Sequence, residues 1–133
     1  RRRHTRYPLV TGVQTCALPI LPDKERTFDR LRPVTPLDHL VEDHRDPDRS
    51  RDFAHYEEFY TLSQPVAEDK RRAKVERMFA ERYAIHYHVW THDAFAGMLD
   101  HVDREVCPWT EIWTHPAVAD ESRCIEFYAV LVK

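Results

Sequence analysis

His86, His88 and Trp90 occupy alternate positions of the segment 84–90, AIHYHVW. If that segment is a strand, both imidazoles share one face with the indole. An imidazole titrates near neutrality and can act as a general base, so His86 and His88 are the candidate catalytic pair. The same spacing could hold a metal if a third ligand such as His55 or Glu57 came close. The sequence fixes no such ligand, so no metal set is assigned. Packed or hydrogen-bonded structural histidines are the commoner use of a lone H-x-H. A second group, Asp23, Lys24 and Arg26, stands where a loop leaves a strand, the place where ligands of open α/β sheets bind. Arg26 and Arg32 could meet an anionic ligand, although exposed arginines are more often only solvated. Trp90, on the same face as the histidines, completes the candidate binding residues. Tyr56 belongs to the stripe Phe53, Tyr56, Phe59 and Tyr60, whose helical spacing suits core or lid packing.

These residues need elements to position them. Residues 21–36 are polar and broken by Pro22, Pro33 and Pro36, which predicts a loop. Pro36 can open a short helix through Leu37, Leu40 and Val41. Residues 44–51, HRDPDRSR, read as a charged turn, with Asp48 or Ser50 placed to cap the next helix. The aromatic stripe predicts that helix, and Pro65 ends it. A further helix is predicted over 66–83, with Val75, Met78, Phe79 and Tyr83 on one side. The alternation of Ile85, Tyr87 and Val89 with His86, His88 and Trp90 predicts a short strand. Thr91 caps a helix carrying Phe95, Met98, Leu99, Val102 and Val106 on one face, and Pro108 stops it. Residues 109–115 and 123–133 read as two strands. The last is apolar on much of both faces, as in a sheet covered on both sides. The order is loop, helices, strand, helix, strand, strand.

Bulk properties narrow the classes. No apolar run approaches a membrane span. Of the two glycines, Gly12 and Gly97, the second lies inside a helical pattern, so no phosphate-cradling turn can be built. Cys107 and Cys124 have no motif context and form neither a disulfide framework nor a metal set.

Two resemblances organise the rest. Residues 10–20, VTGVQTCALPI, resemble one reading frame of a short-read sequencing adapter, and residues 1–6, RRRHTR, resemble its flow-cell end. On that resemblance residues 1–20 are adapter-derived and non-native, and the native message starts near Leu21 without its own beginning. The basic run Arg1–Arg3 then carries no meaning. All 23 acidic residues lie beyond it, against the 16 basic ones left without Arg1, Arg2, Arg3 and Arg6, a balance of −7. That balance argues against a nucleic-acid partner.

Residues 22–36, PDKERTFDRLRPVTP, resemble a bacterial group of class I S-adenosylmethionine-dependent methyltransferases. There, a proline-aspartate-lysine stretch with T-F-D and R-P-V-T-P follows the fifth sheet strand. Residues 55–59 (HYEEF) resemble a lid helix, 85–91 (IHYHVWT) the approach to the last sheet helix, and 126–133 (EFYAVLVK) the closing strand. The resemblance spans residues 21–133. It implies an α/β class: the C-terminal half of a Rossmann-like domain, with lid helices over about 37–83 and the sheet and last helix over about 84–133. The last two strands would form an antiparallel hairpin. It implies methyl transfer from S-adenosylmethionine to a small-molecule or saccharide acceptor, with Asp23, Lys24, Arg26, Tyr56 and Trp90 on the acceptor side. Cofactor-binding residues would lie before Leu21, so this chain is expected to bind the cofactor poorly and to be inactive alone. A cytoplasmic location, no membrane partner and self-association through an exposed sheet edge are the accompanying expectations. The alternatives are a small non-catalytic helical binding module and a histidine-based metal-binding protein.

Overall fold

The computed structural model describes residues 16–46, 49–118 and 124–133. Its sheet is built around β4 (Glu126–Val132), where Phe127, Ala129 and Leu131 are buried. On one side β4 pairs antiparallel with β3 (Glu111–His115), with Trp113 opposite Val130. This is the expected terminal hairpin. On the other side it pairs antiparallel with β1 (Cys16–Ala17) and β2 (Ile20–Pro22). Ala17 faces Leu131 and Ile20 faces Tyr128, so β1 and β2 keep one register. Between them the Ala129 amide donates to the Pro19 carbonyl at 3.1 Å. The two are one edge strand interrupted at a proline, which has no N–H to give.

A strand therefore stands in front of the 22–36 loop, and residues 16–20 of the adapter-like segment belong to it. Residues 1–15 of that segment lie outside the described residues, as do Asp48 and the start of the expected last strand, residue 123.

The helices follow the hydrophobic spacing. They are α1 (Leu37–His44), α2 (Asp52–Glu58), α3 (Glu68–Ala80) and α4 (His92–Glu105). α2 runs on into a π turn at Phe59–Ser63. In α4 the Thr91 hydroxyl accepts from the Ala94 amide, and Phe95 and Leu99 are buried. They pack with Trp90 against Phe127, Ala129 and Leu131. A second core joins Tyr56, Phe59 and Tyr60 to Val75 and Met78 of α3.

Two expectations are corrected. Residues 84–90 form no strand; a single parallel bridge joins Trp90 to Asp23. Alternation alone gives no ladder. Instead the His86 and Tyr87 carbonyls accept from the Arg32 guanidinium, and Val89 pairs with Thr35. Among the described residues the sheet is covered on one face only. Leu18, Ile20, Trp113 and Tyr128 are exposed on the other.

Candidate functional site

Beyond the carboxyl end of β2 the chain makes a tight 3-10 turn at Lys24–Arg26, capped by the Asp23 carboxylate, which accepts from the Glu25 amide at 3.0 Å. The Lys24 amide donates to the Trp90 carbonyl at 2.8 Å, which draws the turn against the end of the 84–90 segment. The two segments enclose a cleft of about 130 Å³ lined by Pro22, Lys24, Asp29, His86, His88 and Trp90. Lys24 is buried there, with its ammonium held by the Arg30 carbonyl at 3.0 Å and by the Glu25 carboxylate. Four of the seven residues expected at the site thus come together: Lys24, His86, His88 and Trp90.

The cleft wall is fixed by a buried ionic knot. Asp29 and Arg32, both nearly inaccessible, pair at 3.1 Å. Arg32 also donates to Glu58 at 2.7 Å and to the carbonyls of His86 and Tyr87 at 2.7 and 2.9 Å. Asp29 receives the Ser63 hydroxyl, and its Oδ2 lies 2.6 Å from His86 Nδ1. Burial alone would raise the Asp29 pKa. The hydrogen bonds from Ser63, His86 and Arg32 outweigh burial and hold it below the ordinary carboxylate value. With Nδ1 turned to a carboxylate, His86 keeps Nε2 as its second functional nitrogen, the carboxylate–imidazole arrangement of a positioned base.

The structure gives the other expected residues different partners. The Arg26 guanidinium donates to the carbonyls of Val118 and Cys124 at 2.8 and 2.9 Å, and so ties the turn to the approach of β4. Tyr56 is 2 % exposed, and its hydroxyl donates to the Tyr83 carbonyl at 2.7 Å. It lines a separate cavity with Phe79 and Arg82. Asp23 caps the turn and does not line the cleft. Arg32 is buried in the knot and is not a surface contact for an anion.

His88 parts company with His86. Its Nε2 lies 2.9 Å from Asp43 Oδ2, and the same oxygen is 2.9 Å from His55 Nε2 and 3.0 Å from His39 Nε2. Arg51 Nε donates to the other oxygen, Oδ1, at 2.6 Å. Burial opposes ionisation of Asp43, but hydrogen bonds from His88, Arg51 and His55 lower its pKa to about 2. Burial pushes the His55 imidazole below its ordinary value, against the pull of Asp43. His55, considered from sequence as a third ligand, does meet His88. Glu57 is not in this group.

Sequence reasoning missed Asp29, His39 and Asp43. The i,i+4 spacing of His39 and Asp43 on one face of α1 was the available signal, but it is ordinary on any helix.

No family model, curated protein or solved structure matches the chain.

Proposed function

We propose that residues 21–133 form the acceptor side and helical lid of a class I S-adenosylmethionine-dependent methyltransferase. The observation that carries the proposal is the cleft at the carboxyl end of β2, which gathers Lys24, His86 and Trp90 from segments that resemble that family. Two features of the fold agree. Leu21 and Pro22 end a strand immediately before the 22–36 loop, where the family has its fifth strand, and the closing strand pairs with them and with β3; the rest of that strand, residues 16–20, is adapter-like and carries no weight. Among the described residues the sheet also has one bare face and an unpaired edge, as a piece of a larger sheet would.

The described residues do not fit the cofactor itself. Such a site needs a glycine-rich turn and an acidic ribose partner. Gly97, the one glycine among the described residues, lies inside α4. The chain's own residues can bind and orient an acceptor and take its proton. Trp90 supplies an apolar wall, Lys24 a buried cation, and His86 Nε2 the base, oriented by Asp29 at Nδ1.

The direct test is to read the source DNA upstream of the Leu21 codon with an adapter-independent primer. Upstream strands with a glycine-rich turn and a following acidic residue sustain the proposal. A native gene that carries the RRRHTR and VTGVQTCALPI codons overturns it. In a chain that carries the donor-binding half, His86→Gln should lower kcat by roughly 10²- to 10⁴-fold, the usual span for a general base. Cofactor affinity, measured by calorimetry, should not change. An unchanged kcat would remove His86 from the chemistry.

A further inference from the structure

We propose that His39, Asp43, His55 and His88 form a binding site for a divalent transition-metal ion of the zinc class. The site shares only His88 with the cleft of the methyltransferase reading, through an Nε2 that turns to Asp43, and it does not use the base His86. The four ligand atoms lie within 4.8 Å of one another. Three imidazole Nε2 atoms converge on one oxygen, Asp43 Oδ2, at 2.9, 2.9 and 3.0 Å. A carboxylate oxygen offers about two lone pairs, so three N–H donors oversubscribe it. A tetrahedral zinc ion with ligands at its usual bond lengths sets them about 3.3 Å apart. An ion at the centre of this cluster would need only a modest inward closing of the rings and a small retreat of the carboxylate.

The ligands come from three separately anchored elements. His39 and Asp43 are one helical turn apart on α1, His55 lies on α2, and His88 is held by the segment that Arg32 fixes. His55 is buried, while His39, Asp43 and His88 are half-buried. An adjoining cavity of about 350 Å³, lined by Asp43, Arg51, His55 and His88, gives a route for an ion or water. Arg51 holds Asp43 Oδ1, the outer contact that aims a ligating carboxylate. Imidazole nitrogens with one carboxylate suit zinc and its neighbours and not the hard, oxygen-seeking calcium or magnesium.

His39 is the weakest member. Its Nδ1 lies 3.3 Å from Arg51 Nη2, so ligation through Nε2 requires that Nδ1 carry the proton and that Arg51 draw back toward Glu42, its other partner. Asp43, His55 and His88 are accordingly the principal ligands.

The test uses the full chain without a histidine tag, stripped with a chelator and titrated with zinc against a competing indicator. One ion per chain is expected. Affinity should fall more than about tenfold in Asp43→Asn and His88→Gln, and less in His39→Gln. His115→Gln, on β3, should leave it unchanged. Circular dichroism checks that each variant is folded. Cobalt(II) bound to the unsubstituted chain supplies a second readout that needs no variant. Intense visible bands of a four-coordinate ion support the site. The absence of saturable zinc binding, affinity indifferent to Asp43 and His88 in folded variants, or a weak six-coordinate cobalt spectrum overturns it.

Discussion

Asp29 shows how much one side chain can be asked to do. It is shut away from water, yet it stays ionised because a hydroxyl, an imidazole and a guanidinium all point at it. Asp29→Asn keeps the shape and removes the charge, leaving Arg32 in the interior with Glu58 as its remaining charged partner. The expected loss at neutral pH is about 3 kcal/mol, measured by urea denaturation. The sign with pH follows from the lowered pKa. The stability that Asp29 contributes is complete above the unfolded carboxylate value and is lost as pH falls through the folded value. The gap between wild type and Asp29→Asn should therefore close on acidification. A gap that stays constant would mean that Asp29 is not charged in the fold. Neither this carboxylate nor Asp43 could be singled out among the chain's 23 acidic residues, because their near neighbours, Arg32 and His39, stand at ordinary helical spacings, while Ser63, His86 and His88 come from segments far away in sequence. Only the histidines, rarer and titrating near neutrality, drew attention to these places beforehand.

The helices were legible where cap and stripe agreed. Thr91, Phe95 and Leu99 specify α4 locally, and the structure repeats them. Residues 84–90 were misread because alternation describes which side chains can share a face, not whether a neighbouring strand exists. The interrupted strand at residues 16–22 was hidden by its likeness to adapter sequence. The end of α3 holds a feature that no pattern announced. The Tyr83 amide donates to the Met78 carbonyl and the Arg82 amide to that of Phe79, the paired bonds of a Schellman motif. Arg82 occupies its left-handed position at φ 51°, where glycine is usual. Arg82→Gly should raise stability by roughly 0.5–1 kcal/mol, through relief of that strain less the added freedom of the unfolded chain. A melting temperature that drops would show that the arginine side chain supplies more than its backbone loses.

At the scale of the molecule, two apolar clusters are joined by polar contacts. The sheet cluster rests on α4, the aromatic cluster rests on α3, and the Asp29–Arg32 knot lies in the segments that connect them. Among the described residues the outer sheet face has no such cover: Trp113 is 65 % exposed on the face it shares with Ile20 and Tyr128. Contiguous apolar surface of that kind drives association. We expect the chain to self-associate in a concentration-dependent way, and Trp113→Lys to shift it toward monomer in sedimentation velocity. A monodisperse monomer with a cooperative melt would favour the small binding module instead. Among the described residues, no helix is long and apolar enough to cross a membrane. The central row of the sheet, β4, comes after every other element in chain order. During synthesis, Phe95 and Leu99 must therefore wait, solvent-facing, until Glu126–Val132 has left the ribosome, whereas the α2–α3 cluster has all its members much earlier. The two halves of the molecule thus differ in when they can become protein-like, and the later one is the more exposed to a chaperone or a protease.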